Sequence, residues 1–386
     1  MNKFSFLKAH IIFLFYKVAN ILLDFLVIIL WPRPLLKNPK KICIYRIGNI
    51  GDIICTIPAL IAVRRAYPKA EITLLTSPGK KGMYGAMELI KGAWFIDKIE
   101  VYYSEDIKNN AGRWRLIKEI RSQKFDLWIM FPNEMWNIKV ILRNMLFAKL
   151  CGVKKAFGFV LSTIKIWTKE QSKYREFDNE VERLIKILKK NIKFISDKIE
   201  YDLPLTREIK EASENIIKDH NLQGKNLFGF VMSGKRTANE WPVANFIELG
   251  RAIININSEA RFIIFGSKGD YEKAQDIVRG MGTEAVNLCG KTSLLEAVAI
   301  INKLDAMISV NTGLMHIASQ AGVFTVGIFS SAELYGKWFP LGVRVKVLFP
   351  KNIECAGCYY KDCKNNYRCI SSIKPEEVFA ALKEIF

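Results

Sequence analysis

Residues 41–78 read KICIYRIGNIGDIICTIPALIAVRRAYPKAEITLLTSP. The stretch opens with an apolar, isoleucine-rich run at 41–47 that stops at Gly48-Asn49. A long apolar run without glycine follows at 53–67, and a second short apolar run comes at 71–76. Short runs bounded by turn residues read as buried strands and the long one as a helix. Strand, helix, strand is a βαβ unit, and a series of such units builds a largely parallel sheet.

The pattern continues outward. Strands are expected at 99–103 and 126–131, with helices at 112–122 and 136–150. Residues 160–222 are polar and weakly patterned, with a helix at 179–191, an extended piece at 201–204 and the interdomain connection at 195–222. A second βα series follows. Its strands are expected at 227–232, 261–265, 285–288, 306–310 and 324–329, and its helices at 243–256, 270–281, 293–303 and 313–321. A last helix at 374–386 carries Pro375 and Glu376 in its first turn. The fold class is α/β: two Rossmann-like, doubly wound domains facing a cleft, preceded by a hydrophobic helix. The expected divisions are 1–39, 40–205 and 206–386.

Length agrees, since 386 residues suit two domains. Half of the residues are hydrophobic and 24 are Phe, which excludes a disordered chain. Lys and Arg number 58 against 38 Asp and Glu, a formal charge of +20 that favours anionic partners. No zinc-finger, RNA-recognition or helix-turn-helix signature is present, so nucleic acid is not expected as a partner. A phosphorylated substrate and an anionic membrane surface remain.

Residues 4–31 form the most hydrophobic stretch. Lys3, His10, Lys17 and Asp24 recur every seven residues, with Asn20 one turn from Lys17, so a helix here carries a narrow polar stripe. Lying in the bilayer interface fits this pattern, with Trp31 at headgroup level and Lys37, Lys40 and Lys41 beyond it. Spanning the bilayer and packing on protein are the alternatives; spanning would place Lys17 and Asp24 in hydrocarbon. Pro32 and Pro34 end the helix. No small-residue cleavage site follows, so a peripheral position on the cytoplasmic face is expected.

Three loops carry the chemistry. Gly48, Asn49, Gly51 and Asp52 follow the first strand, where open α/β sheets bind ligands. Asp52 reads first as a helix cap and second as a base facing the cleft. Met232-Ser233-Gly234-Lys235-Arg236 follows the first strand of the second domain, and Lys235 and Arg236 can neutralise a diphosphate or simply lie solvated. Asp270 and Glu272 follow the next strand and can hold ribose hydroxyls. Asn311, Thr312 and Gly313 run into a helix whose N-terminus suits a diphosphate, with His316 one turn in, as a ligand or as a structural histidine. The G-x-x-G-D spacing at 48–52 is not a dinucleotide fingerprint, which disfavours an NAD enzyme.

These motifs resemble glycosyltransferase family 9, the lipopolysaccharide heptosyltransferases. The stretch RIGNIGDIICTIPALIAVRRAYPKAEITLLTSP is similar to that family's N-terminal signature, VNTGLMHIASQAGVFTVGIF to its nucleotide-site signature, and NEWPVANFIELG to its Trp-Pro segment. The resemblance runs from about residue 41 to the end. It implies a GT-B fold, with acceptor on the first domain and sugar nucleotide on the second, and inversion without a metal ion or cofactor. Asp52 falls on the family's catalytic carboxylate. Thr312, Gly313 and His316 fall on its diphosphate positions, and Asp270 or Glu272 falls near its ribose carboxylate. Two departures stand out: Asn239 where members commonly carry Lys, and Asn311 where Asp is frequent.

The expected activity is therefore inverting sugar transfer, with heptose from ADP-heptose passing to a phosphorylated lipopolysaccharide-core acceptor. Its rivals are a transferase of the same fold for another surface glycan and a non-catalytic sugar-nucleotide-binding membrane protein. Cys355, Cys358, Cys363 and Cys369 are spaced either for a structural zinc ion or as packed and redox-labile thiols.

Overall fold

The computed structural model describes residues 3–32, 38–162, 176–196, 198–234, 236–358 and 362–386, with side chains from residue 11 onward. The side chains of Lys3 and His10, and residues Pro34, Lys37 and Lys235, lie outside the described set. Two compact units emerge, Met1–Ser172 with Glu180–Pro204, and Lys173–Asn179 with Leu205–Phe386.

The first unit holds a five-stranded parallel sheet. Its strands are β1 (Lys41–Ile47), β2 (Glu71–Ser77), β3 (Lys98–Val101), β4 (Leu127–Met130) and β5 (Lys155–Phe157), in the order β3-β2-β1-β4-β5. Ile42 pairs with Ile72 on one side and Leu127 on the other, which makes β1 central. Both faces are covered, so β4 is buried at every position. Strand order reverses between β1 and β4, and ligands of such sheets bind at that point. Helices α1 (Lys3–Leu30), α2 (Ile50–Ala66), α3 (Ala86–Ile90), α4 (Asn110–Ser122), α5 (Ile138–Leu150) and α6 (Glu180–Asn191) complete the unit.

Helix α1 joins this core. Ala19, Leu23 and the following Trp31 are buried in the cluster that contains Tyr45, Trp128 and Met145. The Trp31 indole donates to the Val153 carbonyl at 3.1 Å and stacks on Phe159. The polar stripe expected of this helix divides. Asn20 exchanges two 2.8 Å hydrogen bonds with the Leu161 backbone, and Asp24 pairs with Lys190 at 2.6 Å, while Lys17 stays exposed. A third face is apolar and open: Ile11, Leu14, Phe15, Val18, Ile21, Leu22, Phe25, Ile28 and Ile29 are all exposed. Residues Ile11–Leu30 are long and apolar enough to cross a membrane.

The second unit begins with α7 (Arg207–Asp219), then alternates β6 (Asn226–Val231), α8 (Val243–Ile256), β7 (Ala260–Phe265), α9 (Tyr271–Met281), β8 (Ala285–Asn287), α10 (Leu294–Ile301), β9 (Ala306–Val310), α11 (Gly313–Gln320), β10 (Phe324–Ile328) and β11 (Val345–Leu348). The parallel sheet runs β11-β10-β9-β6-β7-β8, with the order reversing at β6 and β9. Its core is aromatic: Phe230 meets Phe262 and Phe246 with ring centroids 4.9 and 5.1 Å apart, and Trp241 meets Phe246 edge-on at 4.8 Å. Two short helices, α12 (Arg368–Ser371) and α13 (Pro375–Ala381), follow.

One expectation needs correction. The connection placed at 195–222 contains helix α7, which belongs to the second unit. The Thr206 hydroxyl caps it by accepting from the Ile209 amide, and Ser213 and Ile217 are its buried positions. Ile209, Ala212, Ile216 and Ile217 recur at helical spacing, a periodicity that the surrounding Lys and Glu hide in a reading by composition.

Candidate active site

The loop after β1 fixes Asp52 at the third position of α2. Asn49 is the N-cap residue, and Asp52 caps from the third position, its Oδ2 accepting the Asn49 amide at 3.1 Å. The other oxygen, Oδ1, accepts from Arg46 Nη2 at 3.1 Å. The carboxylate is thereby held in one orientation and still keeps 20% of its side chain exposed. Gly48 makes room for it: a Cβ there would stand 2.3 Å from the Asp52 Cβ. Capping and chemistry do not compete, because the cap bond engages one oxygen and leaves lone pairs over.

Behind Asp52 lies a buried charge cluster that motif reading does not reveal. Arg46 is fully buried and also donates to Glu180 Oε1 at 2.8 Å and to the carbonyls of Phe131 and Pro132. Glu180 is fully buried in turn, and Arg183 grips it with two bonds, Nε to Oε2 at 2.8 Å and Nη2 to Oε1 at 2.7 Å. Glu134, buried beside them, acts electrostatically on Asp52 and Arg183. Burial pushes the Asp52 pKa up; Arg46 opposes that, and Glu180 and Glu134 add to it. A carboxylate raised in this way is a better proton acceptor than a solvated one. The one available sequence signal was Glu-x-x-Arg at 180–183, at the start of an expected helix.

In the second unit the loops after β6, β7 and β9 carry the expected residues. Asp270 Oδ1 accepts the Ser233 hydroxyl at 2.5 Å, and Oδ2 accepts the Ser267 amide and hydroxyl at 2.8 and 2.6 Å. Here too a glycine four residues earlier clears the space, since a Cβ on Gly266 would stand 3.0 Å from the Asp270 Cβ. Glu272 is exposed in the first turn of α9. Asn311, Thr312 and Gly313 are half-buried at the start of α11, whose first turn holds no acidic residue to oppose an anion. A Cβ on Gly234 would stand 3.1 Å from the Asn311 carbonyl, so the β6 and β9 loops touch.

His316 is buried, and burial pushes its pKa down to about 4, so at neutral pH it is uncharged and has a hydrogen bond to offer. Arg236 is not a freely mobile cation: its Nη1 meets Glu333 Oε1 at 3.3 Å. Asn239 is buried where family members commonly carry Lys. It donates to the same Glu333 oxygen at 2.8 Å and accepts from Ser330. Trp241 is buried and donates to the Ile373 carbonyl, so the Trp-Pro segment is a packing element. Cys363 Sγ accepts the Asn365 and Tyr367 amides at 3.3 and 3.2 Å. Among the described residues no group of three or more His, Cys, Asp or Glu is placed to hold a metal ion.

Two parallel α/β units in one chain, with loops of this kind at both reversal points, define the GT-B class of glycosyltransferases. Solved structures share the fold. A family 9 glycosyltransferase from Veillonella parvula matches with a TM-score of 0.72 at 21% identity, covering 92% of this chain and 99% of that one. The Escherichia coli ADP-heptose lipopolysaccharide heptosyltransferase II matches with a TM-score of 0.61 at 18% identity, covering 89% and 98%. Lipooligosaccharide heptosyltransferase 2 of Campylobacter jejuni subsp. jejuni is 23% identical over 354 residues, spanning 89% of this chain and 99% of that protein. The sequence model of glycosyltransferase family 9 (heptosyltransferase) matches residues 113–368, and the chain belongs to that family. It is a glycosyltransferase.

Proposed function

We propose that this protein transfers heptose from ADP-heptose to a phosphorylated lipopolysaccharide-core acceptor, with inversion at the anomeric carbon. The observation that carries the mechanism is the carboxylate of Asp52, oriented by two bonds, partly exposed and raised in pKa. Asp52 takes the proton of an acceptor hydroxyl as that oxygen attacks the anomeric carbon. The bond to the diphosphate breaks, and its electron pair leaves with the nucleotide. The helix start at Thr312–Gly313 and the guanidinium of Arg236 meet the charge that develops on the diphosphate. Asp270, lying at the end of β7 with two serine hydroxyls, is the candidate for the ribose. ADP-heptose as donor rests on family membership and on the named relatives. A divalent cation has no part in this scheme.

The test is a mass-spectrometric assay of purified protein with a panel of nucleotide sugars and truncated lipopolysaccharide acceptors. Heptose addition from ADP-heptose, unchanged by EDTA, is the expected result. Transfer of another sugar to another glycan would replace the substrates and keep the mechanism. Failure with every donor would overturn the enzymatic reading of the site.

We further propose that α1 holds the enzyme on the cytoplasmic leaflet, lying in the interface. Its nine exposed apolar side chains from Ile11 to Ile29 supply the buried area. Lys17 at the edge of that face can stay at headgroup level. The excess of basic residues in the whole chain adds attraction to anionic lipid.

A further inference from the structure

Asp52 is a weak base if a fully buried arginine neutralises it, and Arg46 stands 3.1 Å away. What limits Arg46 is the company it keeps. The same Nη2 that faces Asp52 meets Glu180 Oε1 at 2.8 Å, the shorter of the two contacts. We propose that Glu180 is the positioning residue of this site: gripped by Arg183, it anchors Arg46 so that the guanidinium orients Asp52 without cancelling its charge. This rests on Asp52 being the base.

The arrangement of charges supports it. Among the described residues, two guanidinium groups, Arg46 and Arg183, stand against the carboxylates of Asp52, Glu180 and Glu134. These are the charged groups facing Asp52 from β1, from the loop after β4 and from α6. Asp52 is the carboxylate of the pair on Arg46 that reaches solvent, since Glu180 is fully buried. A proton arriving from a substrate hydroxyl therefore goes to Asp52. Geometry adds a second role. With Arg183 also bonded to the Pro132 carbonyl at 2.7 Å, Glu180 ties the start of α6 to the end of β4 and to Arg46. The residue thus fixes where the guanidinium sits as well as how much of its charge Asp52 feels.

The experiment is the pH dependence of kcat/KM for Glu180→Gln and Arg183→Gln, with ADP-heptose and acceptor. Glu180→Gln removes a negative charge, so the Asp52 pKa falls, the acid limb moves to lower pH and the plateau drops by about tenfold or more as the base weakens. Arg183→Gln removes a positive charge and moves the acid limb to higher pH. A purely structural role would lower both plateaus and leave both limbs in place, and that result overturns the proposal. In an Asp52→Asn background Glu180→Gln should have no further effect on the residual rate. If Asp52→Asn retains full activity, the base assignment itself fails. If it is inactive while neither limb moves in the single variants, the role of Glu180 alone fails.

Discussion

Gly48→Ala is a one-methyl change whose effect follows from the site geometry. The new Cβ would lie 2.3 Å from the Asp52 Cβ, 2.7 Å from its Cγ and 2.9 Å from Oδ2. Ordinary carbon contacts are about 3.5 Å, so the two must part by about 1.2 Å. Asp52 cannot retreat by that much and keep both 3.1 Å bonds, to Arg46 and to the Asn49 amide. Losing the cap bond costs about 1 kcal/mol of stability. Displacing a reacting group by about an ångström costs on the order of 100-fold in rate. The expected phenotype is therefore a small fall in melting temperature with a large fall in turnover. Turnover is measured as nucleotide release with saturating donor and acceptor, and melting by circular dichroism on the same preparation. A variant that turns over within about threefold of wild type would refute the reasoning, because the 1.2 Å displacement is of the size that costs on the order of 100-fold.

Two further perturbations test other parts of the account. The His316 imidazole titrates at about 4 when folded, against 6.5 for the free group. Between these values the unfolded chain takes up a proton that the folded chain refuses, so stability falls as pH drops through that window. The loss is about 3 kcal/mol at most. His316→Gln should flatten that slope in denaturant titrations, and an unchanged slope would exclude His316 as its source. Leu22→Glu with Phe25→Glu places charge on the open face of α1, where both side chains are 62% exposed. The pair should leave the melting temperature alone and abolish cosedimentation with phosphatidylglycerol vesicles; a variant that still sediments would remove the membrane role of that face. Deleting α1 is the poorer test, because it also strips Ala19 and Leu23 from the core, a loss of about 2–5 kcal/mol for Leu23 alone.

Much of this was legible in the residues. Both sheets could be read because buried parallel strands are apolar runs, unbroken in Leu127–Met130 and interrupted only by Ser309 in Ala306–Val310. The loop positions followed from strand ends. The shared Gly-x-x-x-Asp of 48–52 and 266–270 was visible as a spacing, but its meaning was not. In the folded chain both glycines clear space for a carboxylate folding back on its loop. Strand β5, three residues long, carried too little pattern, whereas helix α7 had its Ile209, Ala212, Ile216 and Ile217 stripe masked by a charged composition that reads as a linker. Glu180 was invisible for a different reason. It lies 128 residues from Asp52 in sequence (180 minus 52), and nothing local says that a glutamate opening an amphipathic helix is buried against Arg46. Helix α1 showed the reverse case. Its apolar character was plain, but Asn20 and Asp24, which read as parts of one polar stripe, bind the Leu161 backbone and Lys190.

The central claim is that Asp52 is the base for heptose transfer, and the turnover of Asp52→Asn tests it most directly. Asn keeps the size of the side chain and an oxygen for the Asn49 amide, and it removes the charge that accepts the proton. The account predicts a folded protein that melts within a few degrees of wild type, binds ADP-heptose with unchanged affinity and turns over 10²–10⁴-fold more slowly, roughly the span that general-base catalysis contributes. Near-wild-type turnover in that folded variant would contradict it and leave Asp52 as a helix cap.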